Sequence, residues 1–312
     1  EEEPATRLTF HVSVESAEDA LQTLISVCGL QVPGRGSAVY DEVEIAVESG
    51  WEAPQIAPFS GANKIPLRND LSSIVCTVQQ DQGNHIARSS LDLGVPMPQV
   101  TTGEGTGLRD KLGLIRVTVP AAKEIVHVTV SDQESEEIFA ALVTAGGINE
   151  IGAGFIYDSP GTRGIINNMV VHGQQHSASM EQLIAAVDEM KGSADWRRRV
   201  LSEETQGYRY LNNLVCMILV CNEGHASDLV IAAMAAGAGG ATISKKSYVS
   251  FDGQVGAISP ARETTELIVG QDAVENIHDA LRDAGLYGDE ISGFIALKKV
   301  GVACTHLGSS RD

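Results

Sequence analysis

A strand, a helix, a glycine-studded turn and a returning strand recur three times along this chain. Internal repetition limits the possible folds more than any other signal in it. The clearest copy spans 124–158. Glu124-Ile-Val-His-Val-Thr-Val130 alternates as a half-buried strand does, and Ser131 with Glu134 three residues on opens a helix through Thr144. Gly146-Gly-Ile-Asn-Glu-Ile-Gly-Ala-Gly154 makes the turn, and Phe155-Ile-Tyr-Asp158 returns as a strand. Phe10-His-Val-Ser-Val14 echoes Val126-His-Val-Thr-Val130. A helix is predicted over Ala17–Cys28 with Ala20, Leu21, Leu24 and Val27 at core spacing, and Gly34–Asp41 echoes Gly152–Asp158. The third copy is Glu266-Leu-Ile-Val269, a helix from about Ala273 to Ala284, and Gly285 onward to Gly293-Phe-Ile-Ala-Leu297.

Two of these copies are preceded by a further strand, helix and extended segment. Ser73–Val78, a helix over Asn84–Leu93 and Gly94–Thr102 precede one; Leu214–Cys221, a helix over Ala226–Ala236 and Gly237–Lys246 precede the other. Ile74-Val-Cys76 aligns with Leu214-Val-Cys216, and Gly83/His85 with Gly224/His225. A strand is expected over Ile115–Val119. The order β-α-β-β-α-β is the ferredoxin-like arrangement. The predicted architecture is therefore α+β: ferredoxin-like units in tandem, two complete and one N-terminal half. Expected boundaries are a strand-helix-strand half unit at 1–50, a linker at 51–68, one full domain at 69–170, a helical connector at 171–210 and a second full domain at 211–312. The connector carries a capping box, Ser179 with Gln182, and a basic patch at Trp196-Arg-Arg-Arg199.

Charge narrows the functional classes. With 22 Lys and Arg against 41 Asp and Glu, the net charge of −19 argues against a nucleic-acid binder, which needs a basic surface. Five cysteines without framework spacing suit a reducing, cytoplasmic setting, and Cys28, Cys76 and Cys304 read as core thiols. Cys216 and Cys221 differ by an odd number within one strand and so point to opposite faces. His172 and His176 have metal-ligand spacing but no third ligand beside them. No recognisable nucleophile motif is present, so an enzyme is not expected.

Two kinds of candidate anion site remain. The connections at 101–113 and 251–262 combine glycines (Gly103, Gly105, Gly107) with cations (Arg109, Lys111), a pattern that can cradle a phosphate or carboxylate or can simply form a solvated loop. The turns at 146–154, 285–293 and 29–36, the last with Arg35 inside it, can act as backbone nests, or only as tight returns from helix to strand.

The unit order, together with Gly237-Ala-Gly-Gly-Ala-Thr-Ile243, Gly103-Glu-Gly105 and Ile151-Gly-Ala-Gly-Phe-Ile156, resembles the PII signal-transduction (nitrogen regulatory protein P-II) family over 69–165 and 211–305, with a half copy at 8–48. The resemblance implies a non-enzymatic, trimeric regulator. Such a protein binds an adenine nucleotide between subunits and controls a membrane transporter or metabolic enzyme through a mobile T-loop. By position it implies ligand contacts at Gly103, Gly105, Arg109, Lys111, Gly147, Asn149, Gly152, Gly154, Arg163, Thr242, Lys245, Lys246, Gly288 and Gly293. Thr106, Gly107, Leu108 and Arg262 would face a protein partner. The chain departs from the family at Phe155 and Phe294, where a lysine is expected, and 98–126 and 250–265 lack tyrosine. Candidate ligands are therefore ADP, AMP, ATP, a cyclic nucleotide or bicarbonate. The assembly would be a homotrimer or a single-chain pseudo-trimer. A structural module with decayed clefts and a metal-binding protein resembling the CutA group are the alternatives.

Overall fold

The structure, a computed structural model, describes residues 6–32, 34–46, 56–61, 63–107, 122–166, 210–247 and 261–306. Within them the protein is a mixed α/β molecule organised on one large antiparallel sheet. The expected strand at 115–119, most of the 171–210 connector and the residues His172, His176 and Trp196–Arg199 lie outside the described residues.

The first full segment runs β3 (Arg68–Gln79), α2 (Gly83–Asp92), β4 (Gln99–Gly107), β5 (Ala122–Ser131), α3 (Asp132–Ala145) and β6 (Gly154–Ile165). The second runs β8 (Leu214–Asn222), α4 (Ala226–Ala235), β9 (Gly240–Ser247), β10 (Ala261–Gly270), α5 (Val274–Asp283) and β11 (Gly293–Lys299). Their strands lie in the orders β6-β3-β5-β4 and β11-β8-β10-β9, and the two sets meet where β4 pairs with β9. Register makes Ile74 equivalent to Met217, since Ile74 faces Val128 and Asp158 as Met217 faces Leu267 and Leu297. The alignment of Ile74-Val-Cys76 with Leu214-Val-Cys216 is therefore three residues out. The apolar run alone cannot fix register, because several offsets superimpose Val and Cys equally well.

Helices cover one face of each half-sheet. Ile74, Cys76, Val126, Val128, Phe139 and Leu142 form one core, and Met217, Leu219, Leu229, Leu267, Ile277 and Leu281 the other. The remaining faces turn toward each other. Val75, Ile125 and Tyr157 of the first segment pack with Cys216 of the second, and Ile218 and Ile268 lie against them. Cys216 and Cys221 do occupy opposite faces, the latter under the helices. Cys28 is exposed, contrary to expectation.

The N-terminal copy is not a strand-helix-strand unit. Residues 6–13 form no strand, and a 3-10 turn at Val14–Ser16 leads into α1 (Ala17–Cys28). Alternation makes a segment suited to a half-buried surface, but a strand also needs a neighbour's backbone. Helix α1 buries Ala17, Leu21, Gln22 and Ile25, while Val27 is 79% exposed. After it, β1 (Ala38–Tyr40) pairs with β6 and β2 (Glu44–Ala46) pairs with β11, so residues 38–46 strap the two outer edges together. The expected linker is held too. Gln22 donates to the Ile65 carbonyl at 2.7 Å and accepts from its N–H at 2.8 Å, and the Ile56 N–H reaches Ser16 Oγ at 3.0 Å. Two short strands, β7 (Tyr210–Leu211) and β12 (Ala303–Thr305), complete the sheet; β12 runs from the second segment back onto β6. Among the described residues, no helix is long and apolar enough to cross a membrane.

Candidate functional site

Strand pairing accounts for part of the proposed cradle. Gly103, Gly105, Thr106 and Gly107 lie in β4, where Gly105 faces Thr242, Thr106 faces Ala241 and Gly107 faces Gly240 across the junction. A Cβ on Gly103 would stand 2.9 Å from the Ile243 carbonyl oxygen and 3.1 Å from the Thr242 methyl. Glycine is needed there for close approach of two strands, and the Thr106 hydroxyl donates to the Ala241 carbonyl at 3.4 Å. Residues 103–107, expected within a mobile loop, are thus strand, and Thr106 and Gly107 lie in its pairing with β9. Arg262 is likewise a strand residue, paired with Asn222 and Lys246. Leu108, Arg109 and Lys111 lie outside the described residues.

The glycine turns have a shared structural cause. Gly147 and Gly285 adopt left-handed φ of 55° and 96°, and the N–H groups of Ile148 and Leu286 then reach back to the Val143 and Leu281 carbonyls. This is the Schellman closure, with a buried apolar residue after each glycine. Gly29-Leu30, Gly94-Val95 and Gly237-Ala238 repeat it at the other three described helices. Gly154 and Gly293 start their strands pressed against the Thr77 and Val220 carbonyls. Gly288 donates its N–H to the Gly285 carbonyl at 2.9 Å, and the Asn149 carbonyl accepts from His306 Nδ1 at 2.7 Å.

Beside these turns stand Gln79, Lys123 and Asn222, which the sequence did not single out, and Arg262, which it assigned to a protein partner. Lys123 Nζ donates to Gln79 Oε1 at 2.8 Å, and Gln79 Nε2 donates to the Gly152 carbonyl at 2.5 Å. A Cβ on Gly105 would lie 2.7 Å from the Lys123 side chain. At the matching place in the second segment, Asn222 Nδ2 donates to the Glu290 carbonyl and Asn222 Oδ1 accepts from the Ser292 N–H, both at 3.1 Å. Arg262 reaches the Ser292 carbonyl at 3.5 Å. Lys123 and Arg262 are register-equivalent, as are the carboxylates Glu124 and Glu263 next to them. Each sheet therefore ends in an amide that pins the glycine turn and a cation alongside it. An adjacent cation and backbone turn can attract a small oxyanion. The signal that could have found these residues was the equivalence of strand ends, visible only once register is known.

Other predicted ligands do not join this set. Arg163 lies nine residues beyond Gly154 along β6, about 30 Å at strand rise. It hydrogen-bonds to Tyr40, which with Glu42 raises its pKa. Lys245 pairs with Glu223 at 3.1 Å, its pKa raised by that contact. Lys246 has its pKa lowered, mainly by desolvation and also by Arg7, with Glu266 opposing. Thr242 sits between β10 and β4, facing Glu266 and Gly105. Among the described residues no three His, Cys, Asp or Glu side chains group as metal ligands.

No protein-family model matches the chain, and no curated protein matches it. Among solved structures, the crystal structure of Arabidopsis thaliana PII bound to citrate aligns over 30% of this chain and 78% of that one, at 17% identity and a TM-score of 0.24.

Proposed function

We propose that the protein is a non-enzymatic, PII-like regulator built from two ferredoxin-like units in tandem. One chain forms an intramolecular pseudo-trimer, its third place taken by helix α1 and the 38–46 strap rather than by a third strand-helix-strand unit. A small anion, an adenine nucleotide in the first instance, binds where Lys123 and Arg262 flank the glycine turns. Its binding alters how a protein partner, a transporter or a metabolic enzyme, is held through the 108–121 and 248–260 connections. The observation that carries this reading is the register-equivalent pair of ends, Gln79 with Lys123 and Asn222 with Arg262, each beside a Schellman-closed turn. A ligand moves such an equilibrium only by binding one state better than the other.

Calorimetric titration of the full chain with ATP, ADP, AMP, cyclic AMP and bicarbonate tests it. Saturable binding that weakens about tenfold in Lys123→Ala or Arg262→Ala supports the reading. Silence across the panel removes the sensor. That silence would favour the second reading, a structural interaction module. Its support is that β4 and the Schellman turns already occupy the glycines that a ligand cradle would use.

A further inference from the structure

A cavity of about 410 Å³ opens between α3, strands β3 and β6, and the chain around Tyr210 and Val302. It lies toward the Ser72 and Pro160 end of the first sheet, roughly 20 Å along β3 from the Gly154 turn. Asp132, Ser135, Glu136 and Phe139, spaced three and four apart, turn one face of α3 toward it. Asp158 faces them from β6, so three carboxyl groups line one space, with no Lys, Arg or His beside them among the described residues. Tyr210 stands edge-on to Phe139, with ring centroids 5.9 Å apart.

The polar groups here are incompletely matched. Asp132 accepts from the Ser72 hydroxyl at 2.7 Å, and Asp158 accepts from the Val302 N–H at 2.6 Å. Ser135 is 7% exposed and lines the cavity, yet its hydroxyl makes no hydrogen bond among the described residues. Thr265 Oγ1 is the one sealed, unpartnered side-chain polar atom among the described residues, so the Ser135 hydroxyl is instead open to a group entering the cavity. Burial raises the Asp158 pKa, the Val302 N–H opposes the rise and the charge of Asp132 adds to it, so the two carboxyl groups repel across the cavity.

We propose that this cavity binds a small organic cation, an ammonium group on a short apolar chain. Its N–H groups meet Asp158, Asp132 and the Ser135 hydroxyl. The carbon chain packs on Phe139, Pro160 and Val302, and the Tyr210 ring supplies a cation–π face. The volume falls in the range of small-molecule sites, roughly 300–1,000 Å³. Because the described residues hold no three-ligand metal group, a molecular cation with separated donors fits the wall better than a bare ion. The chain's net charge of −19 draws cations toward it. In the second segment Leu297 stands at the register of Asp158, so the central carboxyl is not repeated there.

The test is calorimetry of the full chain with putrescine, with 1,4-butanediol and magnesium chloride as controls at matched ionic strength. Expected is one saturable putrescine site and no heat from butanediol, with binding weakened about tenfold in Asp158→Asn. Glu136→Gln, an exposed position that leaves the fold intact, weakens it severalfold, as does Tyr210→Ala. Absence of a putrescine site in the parent protein overturns the proposal. So does undiminished binding in Glu136→Gln and Asp158→Asn, or equal competition by magnesium, which marks a diffuse counterion effect. None of these outcomes bears on the anion site beside Lys123 and Arg262.

Discussion

Glu263 reaches from β10 to the N–H groups of Gly224 and Ala226 at 3.0 and 2.9 Å, and Glu124 reaches from β5 to the Gly83 N–H at 2.6 Å. Each carboxylate satisfies orphan donors at a helix start from a neighbouring strand, the task usually given to a local cap. Glu263 is 7% exposed, so Glu263→Ala is expected to cost about 1–3 kcal/mol in urea unfolding. Gly293→Ala sets a methyl against the Val220 carbonyl and should cost about 1–3 kcal/mol by the same measurement. Asp158 carries a pH signature. Its folded pKa is raised above 3.8 by burial, so the folded state holds the proton more tightly. Its contribution is therefore most favourable at low pH and is lost as the pH climbs from 3.8 through the raised folded value. Asp158→Asn should flatten the pH dependence of the unfolding midpoint in that window.

At the scale of elements, helix α1 matched its predicted span, Ala17–Cys28, and of its predicted face Leu21 is buried, Ala20 and Leu24 are half-buried and Val27 is exposed. Gln22 is buried because both ends of its amide are used by the Ile65 backbone, and no hydrophobic pattern marks a polar residue as core. Gln22→Ala removes both bonds and is expected to raise amide exchange across 56–67 while the two large cores stay protected. Ser131 does occupy the N-cap of α3, but its hydroxyl makes no cap bond. The turn glycines were legible as turns, and their candidacy as anion nests was not separable from their Schellman role by sequence, because both require the same φ. Asp81, with φ of 69°, holds in the first segment the left-handed position that Gly224 holds in the second, which hides that equivalence from a residue-by-residue comparison.

For the whole molecule, the decisive contacts join pieces far apart in sequence. Asp41, between β1 and β2, pairs with Lys298 at 2.7 Å and accepts from the Thr162 hydroxyl at 2.5 Å, so one side chain ties the strap to both sheet edges. Asp41→Ala is expected to cost about 1–3 kcal/mol, because it leaves the Lys298 ammonium poorly matched in a part-buried site. Between the facing sheets, Tyr157 donates to Glu266 at 3.1 Å. His127 there has its pKa lowered by desolvation and then by Arg7, Lys246 and Lys298. It folds as the neutral imidazole. Below its ordinary value of 6.5 the unfolded chain takes up a proton that the folded one resists, so stability falls as the pH drops through that value. His127→Gln should lessen that loss in acid-side melting curves. Light scattering at 33.0 kDa is expected for the proposed single-chain assembly, and three times that mass would speak for a homotrimer.

Periodicity and glycine spacing settled what each stretch could become, since strand alternation, helix faces and left-handed turn residues are local properties. They were enough for most helices and strands of the two long segments. Register, the junction of β4 with β9, the strap at 38–46 and the clustering of Asp132, Glu136 and Asp158 came only from the fold. Each depends on which distant backbone offers its hydrogen bonds and which surface is left to bury. The stretch Phe10–Val14 illustrates the division: its alternation was written locally, but residues 10–13 pair with no strand among the described residues and Val14 opens a 3-10 turn.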